Sequence, residues 1–97
     1  MPIASPRYAF NPTMGSGAPP DPGVFALWEG QELIYYGRAH SIQARLQEHL
    51  ERADPCTARA THYGWEIASS PAVREAELLR EYLRANGRLP RCNAAAG

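Results

Sequence analysis

Lysine is absent from this chain, and all ten basic residues are arginine. It therefore has neither a Schiff-base amine nor a lysine point charge for phosphate chemistry. Long apolar runs are missing too: no stretch approaches the roughly 18 residues that a membrane span needs. The N-terminus carries Arg7 but no apolar signal-peptide core, so the expected location is the cytoplasm, with no membrane partner. Ten acids balance the ten arginines, leaving a formal charge of zero, which excludes a chain that grips nucleic acid through net charge alone. Cysteine is scarce. Cys56 and Cys92 stand 36 positions apart without CxxC spacing, and with three scattered histidines they form no tetrahedral ligand set. They are expected as free thiols in a reducing cytosol. What remains is globular: 97 residues, 44% hydrophobic and 21% charged, suit one small domain with a modest core.

Proline is unevenly placed. Six of the nine prolines fall within residues 1–22, together with Gly15, Ser16 and Gly17. Proline removes backbone donors and glycine weakens any fixed conformation, so residues 1–22 are expected as an extended arm without its own core. Its Arg7, Tyr8 and Phe10 can stack on a base or simply pack on the domain.

The folded unit is expected over residues 23–93. Val24–Trp28 and Leu33–Tyr36 are β-prone runs separated by Glu29-Gly30-Gln31-Glu32, the pattern of a hairpin. Both runs are apolar at alternate and intervening positions, which predicts a sheet covered on both faces. Ser41 can cap a helix whose stripe is Ile42, Leu46, Leu50 and Ala53, ended by Asp54-Pro55. Residues 60–67 suit a third strand. Ser70-Pro71 starts a second helix, with an apolar stripe of Ala72, Ala76, Leu79 and Leu83, and Gly87 stops it. Residues 94–97 are expected as a frayed tail. The order β-β-α-β-α defines a small α/β sandwich, a three-stranded, mainly antiparallel sheet flanked by helices.

The chemistry-bearing residues concentrate between Gly23 and His49. Gly23-Val24-Phe25 is followed by Tyr35-Tyr36-Gly37-Arg38-Ala39 and then by Arg45 and His49. Arg45 and His49 are four apart on one helix and face the same way. Tyr35 ends a strand, and Gly37 is expected to let the backbone turn. A phenol, two guanidiniums and an imidazole are thereby brought to one edge.

This layout resembles the GIY-YIG nuclease family. Gly-Val-Phe and Tyr-Tyr-Gly match its two name-giving triplets, and Arg38-Ala39, Arg45 and His49 match the positions of its first helix. Pro90-Arg91-Cys92-Asn93 is similar to its Pro-x-x-Asn close. The resemblance covers residues 23–93, and small stand-alone bacterial members look most similar. It implies a divalent-metal-dependent DNA endonuclease, with Mg²⁺ or Mn²⁺ as cofactor, acting in repair or restriction. Tyr35 would be the general base, its phenolate favoured by Arg38 and Arg45. Arg45 would stabilise the phosphorane, His49 would orient or share the proton, and Asn93 would steady this end by hydrogen bonding. A glutamate on the last helix would hold the metal. Glu75 flanks the apolar stripe and is preferred, Glu77 is second and Glu81 third.

Phe25 stands where the first triplet has tyrosine. That departure and the choice of glutamates sustain an alternative, a catalytically weak or inactive nucleic-acid-binding module that kept the fold. For either function Arg38, His40, Arg52, Arg84, Arg88 and Arg91 are candidates for a basic strip along the site. With no room for a separate DNA-binding domain, the expected partner is single-stranded or structured DNA rather than plain duplex. A homodimer or a protein partner is left open.

Overall fold

A computed structural model describes residues 2–3, 5–15, 17–52 and 54–96. Among these residues four strands and four α-helices follow in the order β1 (Tyr8–Ala9), α1 (Pro12–Gly15), β2 (Gly23–Glu29), β3 (Glu32–Ala39), α2 (Ile42–Glu51), β4 (His62–Ile67), α3 (Pro71–Asn86) and α4 (Arg91–Ala96), with a 3-10 turn at Thr57–Arg59 before β4. The sheet is antiparallel in the order β1-β4-β2-β3. It has one strand more than expected, because β1 comes from the N-terminal arm.

The central strand β2 is buried on both faces, as its uninterrupted apolar run requires. Phe25 and Leu27 join Ile34, Ile42, Leu46, Tyr63 and Cys92 in one core cluster, and Val24, Ala26 and Trp28 join Tyr36 and Leu78 in the other. The β2–β3 register shifts between Leu27, opposite Tyr35, and Trp28, opposite Leu33. The bulge at Ile34 lets Leu33 serve the α3 side while Tyr35 stays on the α2 side. Gly37 lies inside β3 without a positive φ. It is needed for space rather than for a turn, because a Cβ there would overlap the Phe25 ring.

Ser41 caps α2 as expected, its Oγ accepting from the Ala44 N–H at 3.2 Å. Ile42 and Leu46 are fully buried and Leu50 partly so, while Ala53 lies outside the described residues. Pro71 opens α3 without a side-chain cap from Ser70, and Gly87 ends it in the left-handed conformation at φ 75°. The expected stripe of α3 is off by about one residue's rotation: Leu79 packs on the core as expected, but Ala72, Ala76 and Leu83 are exposed and Leu78 is buried instead. The inward face runs through Arg74, Glu75, Leu78 and Tyr82, and a bidentate Arg74–Glu66 pair at 2.6 and 3.1 Å fastens it to β4.

Two further expectations change. The arm is tied down at several points: Ile3 packs against the Val24–Ala26–Trp28–Tyr36–Leu78 cluster, Tyr8 and Ala9 pair with β4, and Ala18 is buried. It has no core of its own because it borrows the domain's. Residues 94–96 continue α4 rather than fray, and Gly97 lies outside the described residues. Cys56 and Cys92 are not free thiols but a disulfide, because the turn after α2 and the first turn of α4 meet under the sheet's α2 face.

Candidate active site

The hairpin, α2 and α3 enclose an open cleft of about 510 Å³, lined chiefly by Tyr35, Arg38, His40, Arg45, Glu48 and Glu75. The C-terminal half of β3 delivers Tyr35 and Arg38, the first turn of α2 delivers Arg45, and the second turn of α3 delivers Glu75. Four of the six residues expected to carry catalysis thus converge on one space. Arg38 Nη1 lies 3.5 Å from Glu75 Oε1, a loose pair in which Glu75 is only 21% exposed. Arg45 Nη1 is 2.6 Å from Glu48 Oε1, one turn on. Glu48 was missed in the sequence, although its i,i+3 spacing from Arg45 is the usual signal for such a pair.

Burial pushes the Tyr35 phenol above the ordinary tyrosine range; the charges of Glu75 and Asp54 act the same way, against Arg45's charge and hydrogen bond. Arg45 thus favours the phenolate as expected, but desolvation outweighs it and the net shift is upward. His49 sits behind Tyr35, their ring centroids 5.5 Å apart, with Phe25 edge-on at 5.5 Å from the imidazole. Burial, helped by the Arg45 charge, lowers its pKa and keeps the ring neutral. Its buried Nε2 has no hydrogen-bond partner among the described residues. Phe25, in the tyrosine position of the first triplet, is fully buried and supports these rings without any polar atom.

Asn93 does not reach the cleft. Its Nδ2 donates to the Tyr36 carbonyl and its Oδ1 accepts from the Tyr36 N–H, both at 2.9 Å. α4 is thereby clamped to the outer edge of β3 directly beside Tyr35. Of the other glutamates, Glu77 is exposed and pairs with Arg74 at 3.6 Å, and Glu81 acts on Tyr36 across the opposite sheet face.

The basic strip divides. Arg38 and His40 line the cleft and an adjoining cavity of about 340 Å³ at the start of α3. Arg52 continues past Arg45 and His49 in a smaller depression. Arg84 and Arg88 stand on or beyond the last turn of α3, Arg84 about 14 Å along the axis from Glu75. Arg91 is held by Glu29 and Glu32 at the hairpin's far end.

A hard divalent cation fits the donor set. Glu75 points a single carboxylate into an open, water-accessible cleft, and one carboxylate with substrate oxygens and waters is a common way to hold Mg²⁺. No cluster of three His, Cys, Asp or Glu exists among the described residues, so a caged all-protein site is not the arrangement.

A hairpin carrying the two triplets, a helix bearing Arg45 and a second helix bearing one cleft-facing glutamate constitute the GIY-YIG fold. The chain superimposes on the GIY-YIG N-terminal endonuclease domain of UvrC from Thermotoga maritima bound to magnesium, with a TM-score of 0.64 and 22% identity over 72% of this chain and 86% of that one. Point-mutant forms of that domain bound to its divalent cation match equally, with TM-scores of 0.63 at 22% and 23% identity. No protein-family model matches the chain, and no curated protein does.

Proposed function

We propose that this chain is a divalent-metal-dependent DNA endonuclease. The observation that carries the reading is the convergence of Tyr35, Arg38, Arg45 and Glu75 on one cleft of a GIY-YIG fold. In the hydrolysis, water attacks phosphorus and the P–O bond to the leaving oxygen breaks. Tyr35, in its minor phenolate form, takes the water's proton and becomes the phenol, and His49, neutral behind it, holds the ring in place. The Arg45 fork, released from Glu48, takes the non-bridging oxygens, whose charge grows toward the phosphorane. Arg38 neutralises the next stretch of backbone. Glu75 would hold a divalent cation, Mg²⁺ or Mn²⁺, which would supply Lewis acidity and neutralise developing negative charge.

The substrate is single-stranded or structured DNA. Arg38, His40, Arg45 and Arg52 make a short basic track, too small to follow a long duplex, on a chain with no net charge. The chain shows no helix long and apolar enough to cross a membrane among the described residues. The disulfide supports an oxidising compartment over the cytosol.

The test is cleavage of labelled single-stranded, branched and duplex DNA with Mg²⁺ or Mn²⁺. Nicking is expected that chelation abolishes and that falls by at least about a hundredfold in Tyr35→Phe, Arg45→Ala and Glu75→Gln. Glu77→Gln is expected to stay active. Metal-independent binding without cutting by folded wild type would establish the binding module instead, a reading that the protonated Tyr35 and the apolar Phe25 favour.

A further inference from the structure

We propose that the Cys56–Cys92 disulfide is a redox latch on the cleft, which is active when the bond is closed and loosened when it is reduced. The inference rests on the nuclease reading for its activity arm only. Cys92 is buried in the first turn of α4, next to Asn93, and Asn93 holds the Tyr36 backbone by two hydrogen bonds. Tyr36 adjoins Tyr35. On the other side, Cys56 lies in the turn that follows α2, where Asp54 accepts from the Cys56 N–H at 2.8 Å and from the Thr57 hydroxyl at 2.9 Å. The carboxylate of Asp54 acts electrostatically on both Tyr35 and His49. The bond therefore ties the wall bearing Tyr35 to the end of the helix that carries Arg45 and His49. The loop it closes, 36 residues in separation, contains Glu75.

α4 spans six residues, too short to persist as an isolated helix. It is held by Asn93 on Tyr36, by the Arg91 pairs to Glu29 and Glu32, by Cys92 in the core cluster and by the disulfide. Opening the disulfide leaves the Arg91 pairs and the two Asn93 hydrogen bonds but removes the covalent anchor beside Asn93, so those hydrogen bonds open more often. Access is one-sided. Cys56 is partly exposed and Cys92 is buried. A dithiol reductant attacks Cys56 Sγ as its thiolate, the Sγ–Sγ bond breaks, and Cys92 leaves as a thiolate that takes a proton. The reductant's second thiol then displaces Cys56 as a thiol. Two electrons and two protons pass to the protein, and the dithiol becomes a disulfide.

The experiment compares oxidised protein with protein reduced by dithiothreitol under native conditions, with thiols counted by alkylation and folding checked by circular dichroism. Amide exchange at Tyr36 is read alongside cleavage. Reduction is expected to expose two alkylatable thiols, speed Tyr36 exchange and lower kcat by about tenfold with KM little changed. Reoxidation restores all three. Cys56→Ser is expected to behave as the reduced form and to ignore the reductant. Unchanged exchange and unchanged cleavage with both thiols free would overturn the latch, as would two free thiols in the unreduced protein. If Cys56→Ser does not fold, Tyr36 exchange in reduced wild type decides. If the oxidised protein cuts no DNA, the nuclease reading fails while the exchange result still decides whether the disulfide governs the β3 edge.

Discussion

Tyr35 is pulled in two directions, and the balance has a kinetic consequence. Burial and the carboxylates of Glu75 and Asp54 raise its pKa, while Arg45 lowers it. A base must be deprotonated to act, so raising its pKa above the ordinary value of about 10 leaves only a small phenolate fraction at neutral pH. That fraction grows tenfold per pH unit until the pKa is passed. The logarithm of kcat is therefore expected to climb with a slope of about 1 from neutrality into the alkaline range, with no plateau before pH 10 or so. Tyr35→Phe should lose that slope as well as most of the rate. Arg45→Ala removes an opposing charge and hydrogen bond, so its residual activity should shift to still higher pH. A pH–rate profile under single-turnover conditions checks both; a plateau near pH 7 in wild type would remove Tyr35 from the role of base. His49 is kept neutral by burial, the form that accepts a proton, but its ring lies behind Tyr35 and its buried Nε2 faces no partner among the described residues. Such an orphan costs about 1–3 kcal/mol, a cost expected of a residue placed for work rather than for stability.

Each wall of the cleft is an element held by contacts distant in sequence. α4 reaches β3 through the two Asn93 hydrogen bonds, each contributing about 1 kcal/mol. Asn93→Ala is expected to lower stability by about 2 kcal/mol, or more if the Tyr36 groups stay unsolvated. It should also reduce kcat by letting β3 slacken beside Tyr35, with KM little changed. Asn93→Asp keeps the acceptor for the Tyr36 N–H but sets a charge against the Tyr36 carbonyl, so it should not rescue. Thermal unfolding and steady-state kinetics together check this; loss of stability with full activity would make the clamp purely structural. The same non-local character explains what the sequence left hidden. The hairpin, the Ser41 cap and the Gly87 stop are local, and each was readable from its own few residues. α3 carries two apolar rows, Leu79–Leu83 and Leu78–Tyr82, one residue apart. The Arg74–Glu66 pair to β4 and the Tyr82 ring against Tyr36 decide which row turns inward. The Cys56–Cys92 pairing spans 36 residues and leaves no spacing signal. Glu75 was placed on the flank of the wrong row, yet that flank is the inward face.

For the molecule as a whole, the arm decides whether residues 23–93 make a self-sufficient domain. Proline and glycine correctly excluded long regular elements from residues 1–22, but backbone carbonyls remain available to a proline-rich chain. Asp21 and Pro19 accept at 3.0 Å from the Ile42 and Gln43 N–H groups, and Pro22 accepts from the Ala68 N–H at 3.1 Å. The first turn of α2, whose N–H groups need outside acceptors, thus finds them in the arm. Upstream, β1 covers part of β4, which would otherwise be an open edge. The Arg7 guanidinium stacks 4.6 Å from the Trp28 ring centroid. Starting the chain at Gly23 removes three backbone acceptors and a paired strand at once. At about 1 kcal/mol for each hydrogen bond, that exceeds 3 kcal/mol, a large part of the 5–15 kcal/mol typical of a folded domain. The truncated chain is expected to melt at least about 12 °C lower, at roughly 4–8 °C per kcal/mol for a domain of this size. It should also lose cleavage before it loses secondary structure, because α2 carries Arg45 and His49 from its loosened end. A truncation starting at Asn11, which keeps residues 17–22, should retain most of the activity and sacrifice mainly the β4 edge. Calorimetry with parallel cleavage assays on the two truncations separates these contributions; equal stability in both would return the arm to the role of a dispensable tail.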